Sequence, residues 1–169
     1  MEYRELYDDE RNKVGKSILK GEKVPKGYYY NVVSISIEND EGKCLIQKRS
    51  EIKGGNWAFT SGHPKNGETS KEGIISEVKE ELGIDISCYE LIPYHTLKQD
   101  HSFVDFYHIN MTVDLNDIIL QEEEVEDVRF ATIEEIEELI NQNKFHDSHK
   151  IQFEKMKEYL ENKNTIKSA

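Results

Sequence analysis

The chain has 169 residues, enough for one well-cored domain and too few for two typical ones. Acidic residues outnumber basic ones 34 to 22, for a formal charge of −12, which argues against a general role on nucleic-acid backbones or anionic membranes while leaving room for a local basic pocket. No apolar run approaches the ~20 residues of a membrane span, the first residues lack the layout of a signal peptide, and Cys44 and Cys88 are too isolated for a disulfide framework or a zinc site. A soluble, reduced, cytoplasmic protein is expected.

Residues 2–19 read as two short strands folded at Asp8–Lys13, and Pro25 and Gly27 punctuate the entry to a stronger strand, Tyr30 to Ile37, where Val33, Ile35 and Ile37 alternate with polar residues. Asn39 to Gly42 is a turn, and Cys44 to Lys48 is the partner strand of a hairpin. Gly54 and Gly55 mark a loop before a short strand at Trp57 to Thr60. Thr69 and Glu72 form a capping box, Ile74, Ile75, Val78 and Leu82 the buried stripe of a helix, and Gly83 its stop. Strands are predicted at Tyr89 to Leu97, Phe103 to Val113 and Val125 to Ala131. Thr132 and Glu135 then cap a helix ending near Asn143, and a last helix from Ser148 to Leu160 buries Ile151, Phe153, Met156 and Leu160 in part. With no repeat and no linker, 1–169 reads as one domain of α/β (α+β) class, with helices layered on a mixed β-sheet. It carries a strand extension at 1–28 and a C-terminal helical segment at 145–169.

The most informative stretch is Gly62 to Ile84. Glu77, Glu80 and Glu81 sit at offsets of three and four, which places them on one helix face, after a glycine loop carrying Glu68. Like charges at that spacing oppose the helix by a few tenths of a kcal/mol per pair, roughly, and a divalent cation removes the conflict. Hard oxygen ligands suit Mg²⁺ or Mn²⁺ rather than zinc, and carboxylate-held metal beside a glycine loop points to chemistry on phosphates. The other reading is a solvated acidic face, common in so acidic a chain.

Gly62, Glu68, Glu77, Val78, Glu80, Glu81, Gly83 and Ile84 fit the pattern G-x5-E-x7-R-E-U-x-E-E-x-G-U, with Ser76 in place of the arginine. The chain thus resembles the Nudix hydrolases, and the resemblance implies a Nudix-type α/β/α sandwich with a mixed sheet. It further implies a diphosphohydrolase using Mg²⁺ or Mn²⁺ on a small-molecule diphosphate. Glu77, Glu80 and Glu81 become the metal ligands and water-activating carboxylates, with Glu68 joined to the catalytic set. A backbone carbonyl at Ser61, beside Gly62, would complete the metal site. Glu124, then Glu122, of the run Gln121 to Val125 would add a ligand or the general base, unless that run is an exposed acidic loop. Arg49 and Lys53 would grip the diphosphate, or form an ordinary charged loop, and His63 would touch substrate or metal, or serve structure. The family arginine braces the box glutamates, so Ser76 implies weaker activity unless Lys79 or Lys71 compensates.

Leu6 to Glu10, Lys20 to Pro25, Leu45 to Ser50 and Trp57 through Ser61 to Pro64 resemble isopentenyl-diphosphate isomerase and the Nudix hydrolases grouped with it. That isomerase needs a cysteine where Ser61 stands and a histidine where Tyr30 or Asn31 stands, so hydrolysis is the favoured reading. A nucleotide-binding sensor without turnover is a third. His146 and His149 read as surface or capping residues, Trp57 and Phe59 as core anchors, and Tyr94, His95, His101 and Phe103 as pocket-shaping. Dimerisation through the N-terminal strands is what the resemblance implies for assembly.

Overall fold

The structure, a computed structural model, describes residues 2–168. It begins with a separate antiparallel hairpin of β1 (Tyr3–Tyr7) and β2 (Lys13–Leu19). Asp8 turns the chain by accepting the backbone N–H groups of Glu10 and Asn12 at 3.0 and 2.8 Å. Leu6, Ile18 and Val24 form a small core beneath the hairpin. Arg11, at the tip, adopts a positive φ of 65°, unusual for a residue with a side chain. From there it forks onto Asp105 at 2.9 and 2.5 Å. Burial alone would raise the Asp105 carboxyl, but hydrogen bonds from Arg11, Ser70 and Thr96 outweigh it and hold Asp105 below the usual carboxylate range. This cluster fastens the hairpin to the main sheet.

The main sheet contains β3 (Tyr30–Glu38), β4 (Cys44–Arg49), β5 (Trp57–Ala58), β6 (Thr60–Gly62), β7 (Ile92–Lys98), β8 (Ser102–Asn110) and β9 (Val125–Ala131). Its principal order is β5-β4-β3-β8-β7, with β6 on β3 and β9 on β4. β3 and β8 run parallel over their full length, Tyr30 opposite Ser102 through Glu38 opposite Asn110, while the other pairs are antiparallel. The sheet is therefore mixed, as predicted. β3 and β4 share a single pair, Glu38 with Cys44, and then part. β6 takes the freed edge of β3, and β5 and β9 take β4. That split is where the cavity lies.

Side-chain alternation feeds two cores. Val33, Ile35, Ile37 and Leu45 face helix α1 (Ser70–Leu82), meeting its Ile74, Val78 and Leu82. Cys44, Ile46 and Phe59 face the opposite layer, built from α2 (Ile133–Asn141) and α3 (Lys150–Ser168) through Ile136, Phe153 and Met156. The result is an α/β/α sandwich. Both capping boxes form, Glu72 N–H to Thr69 and Glu135 N–H to Thr132 at 3.1 Å each, and Gly83 closes α1 at φ 69°.

Most boundaries shift by one or two residues from the sequence reading, and four differences are larger. Trp57 to Thr60 is two strands, because the chain crosses there from β4 to β3. The strand expected from Tyr89 starts at Ile92, since the Asp85 side chain caps Ser87 N–H at 2.9 Å and keeps the chain turning. The next runs Ser102–Asn110 and stops before Val113, where β3 runs out. α3 extends past Leu160, and its Ile151 is 43% exposed; Gln152 occupies the buried side instead.

Candidate active site

Gly62 has a steric cause. A Cβ on it would lie 2.1 Å from Cδ of Glu77, so glycine lets β6 pass here without displacing the Glu77 side chain. Gly73 serves the same end, since a Cβ there would meet Pro64 at 2.7 Å. The intervening loop is pinned by Glu68, which accepts the Ser76 hydroxyl at 2.6 Å and the Lys65 backbone N–H at 2.7 Å. Ser76 thus braces the loop to the helix through Glu68, and Glu68 stands outside the cavity wall. Neither Lys79 nor Lys71 reaches the box acids with an ion pair; Lys65 does, pairing with Glu80.

Glu77, Glu80 and Glu81 all line a cavity of about 460 Å³. Glu77 and Glu81 are only 9% and 8% exposed, whereas Glu80 stands at the rim with Lys65. Burial, then the repulsion of Glu81 and Glu80, pushes the Glu77 carboxyl up to about 8. Burial lifts Glu81 to about 7 against a hydrogen bond from Gln47, with Glu124 and Glu80 adding repulsion. The Gln47 amide donates to Glu81 Oε2 at 2.7 Å and is itself oriented by the Thr60 hydroxyl, which donates to its Oε1 at 2.7 Å. One oxygen of Glu81 is engaged by this relay; no bond from the described residues takes the other.

Arg49 and Lys53 reach the cavity from the end of β4 and the 3₁₀ turn after it. Lys53 lies 3.3 Å from Glu124, and both are partly exposed, so the pair adds little stability. The 121–124 loop is docked by Ser50, whose N–H meets the Glu124 carbonyl at 3.0 Å and whose hydroxyl meets the Glu123 carbonyl at 2.8 Å. This docking turns Glu124 into the cavity and leaves Glu122 exposed outside it. His63 lines the cavity too, its ring 5.4 Å from that of Tyr30, and burial with the charges of Arg4 and Lys20 pushes it down to about 3, so it is neutral.

The far wall holds residues that sequence reasoning misplaced. His149 is buried, not a surface residue. Its Nδ1 accepts the Phe59 backbone N–H at 3.1 Å and its Nε2 meets the Ser61 hydroxyl at 3.3 Å. Burial, then His146 and Arg49, pushes it down to about 3. Gln152, 1% exposed, accepts the Ser34 hydroxyl at 2.5 Å. Phe59 is core, as expected, and also faces the cavity. Tyr94, His95, His101 and Phe103 do not line it; Leu97, Gln99, Ser102, Val104 and Phe106 do. For Phe103 the pleat decides this, since Val104 and Phe106 point opposite to it and it packs on Tyr29 and Arg11; Tyr94 and His95 pack against Phe106 from β7 instead. Trp57 lies outside the cavity, under the Arg129 guanidinium at 5.0 Å.

The donor set fits a hard divalent cation. Two buried carboxylates without an ion-pair partner, a third at the rim and neighbouring backbone oxygens are the ligands Mg²⁺ or Mn²⁺ takes. Among the described residues no three acidic, histidine or cysteine side chains already converge as a finished cage, because Glu80 is drawn to Lys65 and one oxygen of Glu81 to Gln47.

The NUDIX domain family matches residues 28–153. An uncharacterized Nudix hydrolase of Listeria monocytogenes is 37% identical over 149 residues, covering 86% of this chain and 88% of the relative. An RNA pyrophosphohydrolase of Campylobacter jejuni is 28% identical over 137 residues, covering 69% of this chain and 85% of that one. A crystal structure from Deinococcus radiodurans superposes with a TM-score of 0.71 at 21% identity, over 85% of this chain and 91% of that one. Spacing, sandwich and relatives agree that the chain belongs to the Nudix hydrolase family, enzymes that cleave diphosphate linkages.

Proposed function

We propose that the cavity hydrolyses a diphosphate linkage in a nucleoside diphosphate derivative or a related small molecule, with Mg²⁺ or Mn²⁺ held at Glu77, Glu80 and Glu81. The observation that carries this is the buried Glu77–Glu81 pair, without an ion-pair partner and facing the same cavity as Arg49 and Lys53. Backbone oxygens at Ser61 and Gly62 would complete the ligand set, and Glu124 is better placed than Glu122 to add a ligand or accept the water's proton. The bound cation would neutralise phosphoryl oxygens and lower the pKa of the attacking water. Arg49 offers a bidentate fork to a phosphoryl group, and Lys53 a point charge that must leave Glu124 to reach it. Glu68 acts at one remove, by fixing the loop that carries Gly62. Residues 1–169 act as one unit in this reading, since the hairpin lends Glu2 and Lys20 to the cavity wall and α3 lends Gln152.

The test is turnover of a diphosphate panel with Mg²⁺ and then Mn²⁺: nucleoside di- and triphosphates, nucleotide sugars, dinucleotides, coenzyme A and isopentenyl diphosphate. The name of the Campylobacter relatives adds a 5′-phosphorylated RNA, though the charge of −12 favours small substrates. Metal-dependent product release from one class is expected, with Glu80→Gln folded and inactive. A Glu80→Gln protein with full turnover sinks the site, and binding without product across the panel makes the domain a sensor.

A further inference from the structure

The Ser61–His149 pair has the outline of a nucleophilic dyad, and its hydrogen bonds rule that out. His149 Nδ1 accepts the Phe59 backbone N–H, so that nitrogen carries no proton. A neutral imidazole then carries its proton on Nε2, and the contact with Ser61 is Nε2–H donating to Oγ. His149 therefore has no free lone pair with which to take the Ser61 proton. With an acceptor role imposed on Oγ, the hydroxyl hydrogen of Ser61 is left to donate elsewhere, and no acceptor among the described residues takes it.

The place of that hydrogen is set by β6. Ser61 precedes Gly62, the residue packed against the Glu77 carboxylate, and both line the cavity. On the diphosphate reading, a cation held by those carboxylates and Arg49 on the same cavity wall would draw phosphoryl oxygens to this end of the cavity. We propose that Ser61 is a substrate-binding residue that donates its hydroxyl hydrogen to a diphosphate oxygen, and that His149 is the positioning residue that aims it. This rests on the diphosphate reading of the cavity. No covalent serine intermediate forms.

The histidine half is read without any substrate. Imidazole ¹⁵N shifts of His149 in the resting protein should show protonation at Nε2 and an acceptor Nδ1; a proton on Nδ1 overturns the assignment. The serine half is read by calorimetric binding of methylenediphosphonate with Mg²⁺. Ser61→Ala should weaken it about tenfold, the effect of one hydrogen bond to a charged acceptor. Its Mn²⁺ affinity should be unchanged, because the backbone carbonyl stays. Ser61→Thr, which keeps the hydroxyl, should restore most of the loss. His149→Gln should cost several-fold in the parent and almost nothing in the Ser61→Ala background, a non-additivity that a merely structural histidine would not show. Parent-like binding by Ser61→Ala overturns this proposal alone. Failure of the parent to bind the diphosphonate at all removes the diphosphate reading, and this proposal with it.

Discussion

Helix α1 and the segment leading into α3 face one cavity with opposite chemistry. The α1 wall is acidic: Glu77 and Glu81 are buried without an ion-pair partner and raised by burial and by neighbouring carboxylates, while Glu80 stands at the rim paired with Lys65. The α3 wall is uncharged, with His149 held neutral between Phe59 and Ser61 and Gln152 accepting from Ser34 through its oxygen while its buried amide nitrogen has no hydrogen-bond partner among the described residues. A fold relaxed for stability alone would not bury like charges together. On the proposed reading, the acidic wall serves a cation, and the other offers the ligand uncharged hydrogen-bonding groups.

The comparison breaks most visibly at Glu81. Glu81→Gln should lower kcat/KM on the identified substrate by about a thousandfold, the equivalent of about 4 kcal/mol, because one hard ligand and its charge are lost. The same change should raise the melting temperature of the metal-free protein, since it removes a buried charge and keeps an acceptor for Gln47. Activity and stability moving in opposite directions is the expected signature. A Glu81→Gln protein that melts lower in EDTA would show that the acidic wall is a structural network.

Proton linkage sharpens the same point. Unfolded glutamates titrate near 4.5, whereas in the fold Glu77 is raised to about 8 and Glu81 to about 7. Between those limits the native chain holds more protons than the unfolded one. The stability that goes with protonating the pair is full below 4.5 and is lost as pH rises through about 7 to 8. His63 and His149, held near 3 against an ordinary 6.5, run the other way and offset part of the fall up to about pH 6.5, whereas Asp105 finishes below its ordinary range and does not mask it at neutral pH. The melting temperature of the metal-free protein should fall by several degrees between about pH 5.5 and about pH 8.5. Added Mg²⁺ or Mn²⁺ should raise it most at the alkaline end, where the carboxylates are ready to ligate. Calorimetry with and without EDTA checks this, and a metal-free curve flat in pH would count against an uncompensated pair.

The two walls were also unequally legible. The acidic one is local: rigid spacing on a single helix puts Glu77, Glu80 and Glu81 on one face whatever the rest of the chain does. Gly62 could be found from the same spacing, though its reason, the approach of Glu77, exists only in three dimensions. The α/β/α layering was legible because strand alternation and capping boxes are local signals too. The neutral wall depends on where β3 and β4 part and on a contact between residues 88 apart in sequence, and no local pattern encodes that. Phe103 of β8 was misassigned because a one-position error in a strand swaps its faces, whereas Tyr94 and His95 lie against cavity-lining Phe106, at an irregularity of β7, without reaching the cavity. In the 122–124 run, composition is uniform, and only docking by Ser50 separates Glu124 from Glu122.

The smallest effect is expected at Ser76, where the family pattern carries arginine. Its hydroxyl meets Glu68, one oxygen of which is also held by the Lys65 N–H, and neither group lines the cavity. Losing that bond should therefore loosen the loop ahead of the helix and spare the carboxylates that face the ligand. Ser76→Ala is expected to lower unfolding stability by about 1 kcal/mol, the worth of one such hydrogen bond, and to change kcat by less than about threefold. Denaturant unfolding and steady-state kinetics on the identified substrate separate the two quantities. A loss of tenfold or more in kcat at unchanged stability would place Ser76 among the groups that aim Glu77, Glu80 and Glu81. The acidic wall would then depend on a brace that acts through the loop, from Glu68 to Gly62, and not on the rigidity of α1 alone.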